Sequence, residues 1–355
     1  MNRFKVYKKL FSDPWAVISS LYIFFLIFVA VFAYQIAPDN STNANQMHLS
    51  IHSKSIGFKT KMVVVNNRKT FKKKGSFFSG ESNVSSEIPI NDYMFEDGYV
   101  KIQPYGYPKN YFEYLDNKLV TALNFESDYL KEKFFPLGTD MYGRDLLSRL
   151  IIGTRISLSI GFIAVFISLI IGVILGGLGG YFGGNIDKFI VWLINVFWSI
   201  PTLLMVIAIT LALGRGFWQV FIAVGLTMWV EVARIVRGQI LSLKEKTFVQ
   251  SAKVLGFSNF RILFYHILPL IVPPLIVTCA ANFASAILIE SGLSFLGIGA
   301  QPPIPSWGGM VRDHFKYLLL GKPYLTILPG FTIMSLVLAF MTLGNSLRDA
   351  LDVKN

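Results

Sequence analysis

Six stretches of this chain stay apolar for close to the ~20 residues that a helix needs to cross a hydrocarbon core of ~30 Å. They run roughly Trp15–Ala37, Ile156–Leu178, Phe189–Leu213, Phe217–Ile235, Ile267–Ile289 and Leu325–Leu343. The fourth and fifth flank a more polar stretch, FVQSAKVLGFSNFRILFYHILP (Phe248–Pro269). There Phe248, Val249, Ala252 and Leu255 fall at i, i+1, i+4 and i+7, one apolar stripe on a short helix. Gly256 suits the end of that helix, where a left-handed residue without a Cβ is comfortable. Ser258 is placed to N-cap a second helix that runs on toward the fifth span, and Pro269 to bend the start of that span. The stripe is expected to have no cover from its own chain beyond the membrane ends.

The segment between the first two spans reads differently. Asn40–Lys61 is rich in Ser, Asn and Thr and looks loop-like, whereas MVVV (Met62–Val65) and YVKIQ (Tyr99–Gln103) have strand character between turn residues. A small β-rich domain is predicted there. His48 and His52 have a spacing that could bind a metal on a helix, but the loop-like context and the lack of an adjoining carboxylate argue against it. GGLGGYFGG (Gly176–Gly184) is expected to turn the chain between the second and third spans. No Gly-Lys-Ser/Thr follows it, so it is not a Walker phosphate loop. Small residues that let two helices approach closely account for it better.

Composition agrees with a polytopic membrane protein. Of 355 residues, 53% are hydrophobic and 15% charged, and mean hydropathy is +0.52. The net charge of +12 is scattered rather than gathered on one soluble face, which argues against nucleic-acid binding. The N-terminal Arg3, Lys5, Lys8 and Lys9 and the basic stretch Arg234–Arg261 place both ends and the Phe248–Pro269 hairpin in the cytoplasm, by the excess of Lys and Arg in cytoplasmic loops. Arg348 and Lys354 then lie on the same side, and Pro38–Leu137 outside. The first apolar run is too long for a typical signal peptide and is expected to be an uncleaved anchor. The single cysteine, Cys279, excludes a disulfide within the chain.

The hairpin admits three readings: a helix lying on the bilayer, a DNA-reading helix-turn-helix, or a helix docked in a groove of a cytoplasmic partner. Its pattern QSAKVLG…HILP resembles the cytoplasmic loop of ABC-importer permeases, with Ala252, Gly256, Leu268 and Pro269 matching in identity and spacing. Gln250 and Ser251 depart from that family's Glu and first Ala. FPLGTDMYGRDLLSRLIIGTRISL (Phe135–Leu158), SGLSFLGIGAQPPIPSWGGM (Ser291–Met310) and SDPWAVIS (Ser12–Ser19) are similar to segments of the peptide and nickel permeases, specifically the C-type subunit of oligopeptide and dipeptide importers. Trp192 and Asn195 stand where those permeases usually carry an Arg and an Asp.

The resemblance implies an all-α polytopic membrane protein: six transmembrane helices in an ABC type I importer (MetI-like) permease core, with an extracytoplasmic β-rich insert. Its parts would be a cytoplasmic start and first span (1–37), the insert (38–137) and the core (138–355), with a coupling loop at 236–266. The resemblance further implies a homologous second permease, two cytoplasmic ATPases that use ATP and Mg, and an external binding protein for peptides or nickel chelates. This chain itself would bind no cofactor. The coupling contact falls to Phe248, Val249, Gln250, Ser251, Ala252, Leu255 and Gly256. For the pathway, Glu231 and Glu290 are costly charges at membrane depth, and Asn195 and Asn282 are polar candidates of the same kind. Pairing of Glu231 with Arg234 or its snorkelling to the interface, and Glu290 at the membrane edge, are the plainer alternatives. An ion-coupled transporter would show mid-span charges and an internal repeat, and a membrane hydrolase a nucleophile–base set such as HExxH or GxSxG; neither is evident.

Overall fold

The computed structural model describes residues 9–65, 78–81, 86–96, 99–115, 125–214 and 216–351. The charges at Arg3, Lys5, Lys8 and Lys354 lie outside the described residues. Among the described residues five helices are long and apolar enough to cross a membrane, or six spans if one bent pair counts as one. They are α1 (Pro14–Val31), α2 (Leu146–Phe182), the pair α3 (Gly184–Trp198) and α4 (Thr202–Leu213), α5 (Phe217–Lys244), and then, beyond the short α6 (Thr247–Val254), α7 (Asn259–Phe295) and α9 (Tyr324–Leu351). The short α8 (Trp307–His314) precedes α9.

Two expectations are corrected. The third span, expected as one segment over Phe189–Leu213, is broken at Ser199–Pro201 and bent by 93°. Pro201 has no N–H and its ring clashes with the preceding turn, while Ile200 is pushed out of the helical region. The glycine cluster is not a turn throughout. Helix α2 continues to Phe182 and the chain turns only at Gly183 and Gly184, where φ is +68° and +57°. At 37 residues α2 is about 55 Å long and exceeds the apolar core of a bilayer.

The packing reading of those glycines holds. A Cβ on Gly172 would lie 2.5 Å from Val232 Cβ, and one on Gly180 would lie 2.9 Å from the Arg237 carbonyl. Their spacing of four puts Gly172, Gly176 and Gly180 on one face of α2, against α5. Helix α5 is the most enclosed span, with 67% of its apolar window buried against 28–33% in the other long helices. Val232, Val236 and Ile240 form one core with Ile267 and Ile271 of α7, and Phe221 and Val224 form another with Val206 of α4 and Ile160 of α2.

Two compact units divide the chain, one of Met1–Ile27, Ile156–Gln301 and Phe331–Asn355, the other of Phe28–Arg155 and Pro302–Gly330. The division follows packing, whereas the expected boundaries at 37 and 137 follow the expected sides of the membrane. The second unit contains the expected β-rich region: β1 (Phe58–Val65), β2 (Ser86–Glu96), β3 (Tyr99–Pro104), β4 (Glu113–Tyr114) and β5 (Leu130–Phe135) form one antiparallel sheet in the order β4-β3-β2-β1-β5. MVVV ends β1 and YVKIQ starts β3. Val63, Ile90, Ile102 and Phe125 close its core.

The TDMYGRD stretch is a buried polar turn in this second unit. The Asp140 carboxylate accepts from the backbone N–H of Tyr142 (2.8 Å) and Arg144 (2.9 Å) and from Arg144 Nε (2.6 Å). Gly138 and Gly143 take the positive φ values the turn requires, +78° and +72°. SWGGM packs on the helix that follows: Trp307 is fully buried, and its Nε1 donates to the Leu150 carbonyl at 3.1 Å. Gly153 leaves room for the indole, since a Cβ there would lie 2.9 Å from Trp307 Cδ1.

Candidate functional site

The hairpin is built from two capped helices. Helix α5 ends at Lys244, and α6 ends in a left-handed Gly256 with φ +76°. Gly256 N–H donates to the Lys253 carbonyl (2.9 Å) and Phe257 N–H to the Ala252 carbonyl (3.1 Å), the paired bonds of a Schellman cap. Ser258 caps α7, its Oγ accepting from Arg261 N–H at 3.4 Å. The chain then runs into the fifth span through a π turn, Ile262–Ile267, in which Leu268 N–H reaches back to the Leu263 carbonyl. Pro269 follows at once, where the widened turn accommodates its missing donor.

The expected stripe splits in two. Val249 and Ala252, expected to be covered by their own chain only at the membrane ends, are buried against Ile240, Ile262, Ile267 and Ile271. The hairpin folds back on the ends of α5 and α7, which supply the cover. Leu255, counted on the same stripe, is 71% exposed, Phe248 is half exposed, and Val254, not counted at all, is 88% exposed. Gln250, Ser251 and Gly256 are exposed. The free apolar surface is therefore the tip of the hairpin. It continues on α7 with Phe260 and Phe264, whose rings stack at 4.3 Å.

The hairpin is braced from α2 and α3. Tyr181 Oη donates to Asn259 Oδ1 at 2.9 Å. Arg237 on α5 makes a two-pronged ion pair with Asp187 at the start of α3, Nε–Oδ1 2.5 Å and Nη2–Oδ2 2.8 Å. Such a fork fixes direction as well as distance. Sequence reading missed this pair, because Asp187 and Arg237 share no local spacing.

The four pathway candidates part company. Asn195 and Glu231 are exposed. Asn282 and Glu290, expected to face an open lumen, are buried in the first unit at 1% and 0% exposure. Glu290 accepts from Ser294 Oγ at 2.7 Å, and Ser294 Oγ in turn accepts from Ala300 N–H at 3.2 Å. This carboxylate ties the end of α7 to the turn that follows it. Glu231 does not pair with Arg234, whose guanidinium lies over the Trp198 ring at 4.0 Å from its centroid. A cleft of about 260 Å³ has Glu231, Trp198, Thr202, Thr227 and Ser285 in its wall. A second, of about 550 Å³, shares Glu231 and adds Gln239, Thr278 and Arg348.

Among the described residues no cluster of three metal-ligating side chains includes the two histidines considered for a metal, His48 and His52. His48 is buried with Nε2 3.6 Å from Glu87, a carboxylate already held by Lys133 at 2.6 Å. Burial, reinforced by Lys133, pushes the His48 pKa down. His314 is buried as well, its pKa also lowered by burial. Its Nδ1 lies 2.7 Å from the Met310 carbonyl and its Nε2 accepts from Met141 N–H at 3.4 Å, the pattern of a neutral ring protonated at Nδ1.

Comparison with known proteins follows the same residues. Residues 151–354 match the family described as binding-protein-dependent transport system inner membrane component. The chain is 42% identical over 217 residues to the dipeptide transport system permease protein DppC of Alkalihalophilus pseudofirmus, covering 61% of this chain and 71% of that protein. It is likewise 42% identical over 253 residues to the glutathione transport system permease protein GsiD of Shigella flexneri, covering 71% of this chain and 80% of the relative. Among solved structures, a chain of the MetNI methionine ABC transporter aligns with a TM-score of 0.48 at 17% identity, over 59% of this chain and 98% of its own.

Proposed function

Because this chain belongs to the family of binding-protein-dependent transport system inner membrane components, we propose that it forms half of a translocation pathway for short peptides. It is a multi-pass permease subunit of a bacterial ABC importer and catalyses no covalent chemistry. Relatives named for dipeptide and glutathione transport support a peptide cargo. The second half of the pathway is a homologous permease; two cytoplasmic ATPases use ATP and Mg, and an external protein delivers the peptide. The termini and the hairpin face the cytoplasm across the inner membrane, and the five-stranded sheet lies outside.

The observation that carries the coupling role is the capped and braced hairpin with its apolar tip, Phe248, Val254 and Leu255, left uncovered by its own chain. An apolar tip on a braced hairpin is suited to a groove on another protein. Closure of the ATPase pair on ATP would move the hairpin, and α5 and α7 with it. Physically this is a two-state equilibrium biased by ligands at two distant sites. Of the pathway candidates, Asn195 and Glu231 retain that role; Asn282 and Glu290 serve the interior of the subunit.

Reconstitution tests this reading. The purified chain alone should hydrolyse no ATP, whereas the chain with its partner permease, ATPases and binding protein in proteoliposomes should import di- and tripeptides only when ATP is supplied. ATP hydrolysis by the isolated chain, or peptide entry independent of ATP, would sink it.

A further inference from the structure

Glu231 lies midway along the most enclosed span, yet its carboxylate is exposed and makes no hydrogen bond or ion pair among the described residues. A lone charge at membrane depth is costly and marks a water-filled path or a partner of opposite charge. The neighbouring cation on the same helix is turned to another neighbour, the Arg234 guanidinium lying over the Trp198 ring at 4.0 Å and making no ion pair with Glu231. Thr202, Thr227 and Ser285 share the wall of the first cleft with Glu231. A carboxylate among hydroxyl acceptors suits an ammonium group, which offers three N–H donors and no acceptor. It does not suit a divalent metal, for no second carboxylate or histidine shares either wall. The second cleft has Arg348 in its wall, a group that repels an ammonium and receives a carboxylate.

We propose that Glu231 receives the α-ammonium group of the peptide during translocation, so that a free amino terminus is a determinant of passage through this permease. This rests on the peptide-importer reading above. An extended zwitterion would lie with its amino end in the first cleft and its carboxyl end toward Arg348.

The test uses the full complex in proteoliposomes and a peptide pair differing only in N-acetylation, each supplied at a concentration that saturates the binding protein. Delivery is then equal and only the translocation step differs. Wild type should carry the free peptide about tenfold faster, which is about 1.4 kcal/mol of preference. Glu231→Gln should bring that ratio close to one, and Glu231→Asp should keep most of it. A ratio that survives Glu231→Gln, or no preference in wild type, overturns the proposal. So does loss of the second permease from the Glu231→Gln complex, which would assign the carboxylate to a basic residue of that subunit. If wild type carries neither peptide while its ATPases turn over, the peptide-importer reading itself has failed.

Discussion

Placing the same carboxylate at two neighbouring hairpin positions separates docking from folding. Leu255 is 71% exposed and sits at the tip, whereas Ala252 is buried against Ile240, Ile262 and Ile267. Complete burial of a leucine is worth about 1.5–3 kcal/mol. Burying the exposed 71% of Leu255 in a partner groove therefore contributes about 1–2 kcal/mol, or about five- to thirtyfold in affinity. Leu255→Asp removes that contribution and adds the cost of desolvating a charge in the groove. The isolated chain should fold as before, because the side chain touches little of it. Ala252→Asp instead buries an unpaired carboxylate in the chain's own core, at a cost of several kcal/mol. The assay is paired: chain per milligram of membrane by quantitative blotting, and ATPase recovered per chain after affinity purification. Leu255→Asp should keep wild-type abundance and lose at least about fivefold of the bound ATPase. Ala252→Asp should lower abundance itself, and Lys253→Ala should leave both unchanged. Full ATPase recovery with Leu255→Asp would refute the docking of the tip, and normal abundance with Ala252→Asp would refute the packing of the hairpin on α5 and α7.

Two further outcomes are expected. The lowered pKa values of His48 and His314 mean that, as pH falls below 6.5, the unfolded chain takes up protons before the folded one does. Stability of the second unit is then undiminished above pH 6.5 and declines from there through the lower folded-state pKa values; hydrogen exchange around 137–155 and 307–326, corrected for intrinsic rate, should show more opening at pH 5.5 than at 7.5, and equal protection at both would contradict it. For topology, in a Cys279→Ser background a cysteine at Glu113 should react with a membrane-impermeant reagent from outside and one at Lys253 only after permeabilisation; the reverse order would invert the assignment.

What the sequence determined by itself was local or cumulative in character. Apolar length marks a span wherever it sits, so six runs were legible. The left-handed Gly256 and the Ser258 cap were legible because a turn is specified within a few residues. MVVV and YVKIQ read as strands for the same reason. Even the break at Pro201 had a local signal, a proline inside an apolar run, though it was not read as one. The sidedness of each element belonged to the tertiary structure. In a span every face is apolar, so the 3.6-residue period no longer tells lipid from protein, and only packing shows that Gly172, Gly176 and Gly180 meet α5. On α6 the pattern found an apolar stripe but not its occupant: α5 and α7 cover Val249 and Ala252 and leave Phe248 and Leu255 free. Likewise a glutamate in an apolar run reads as costly wherever it points. Glu290 is spent inside the subunit on Ser294 and Glu231 opens onto a cleft, because neighbours far away in the chain, not spacing within it, decide which carboxylate finds a partner.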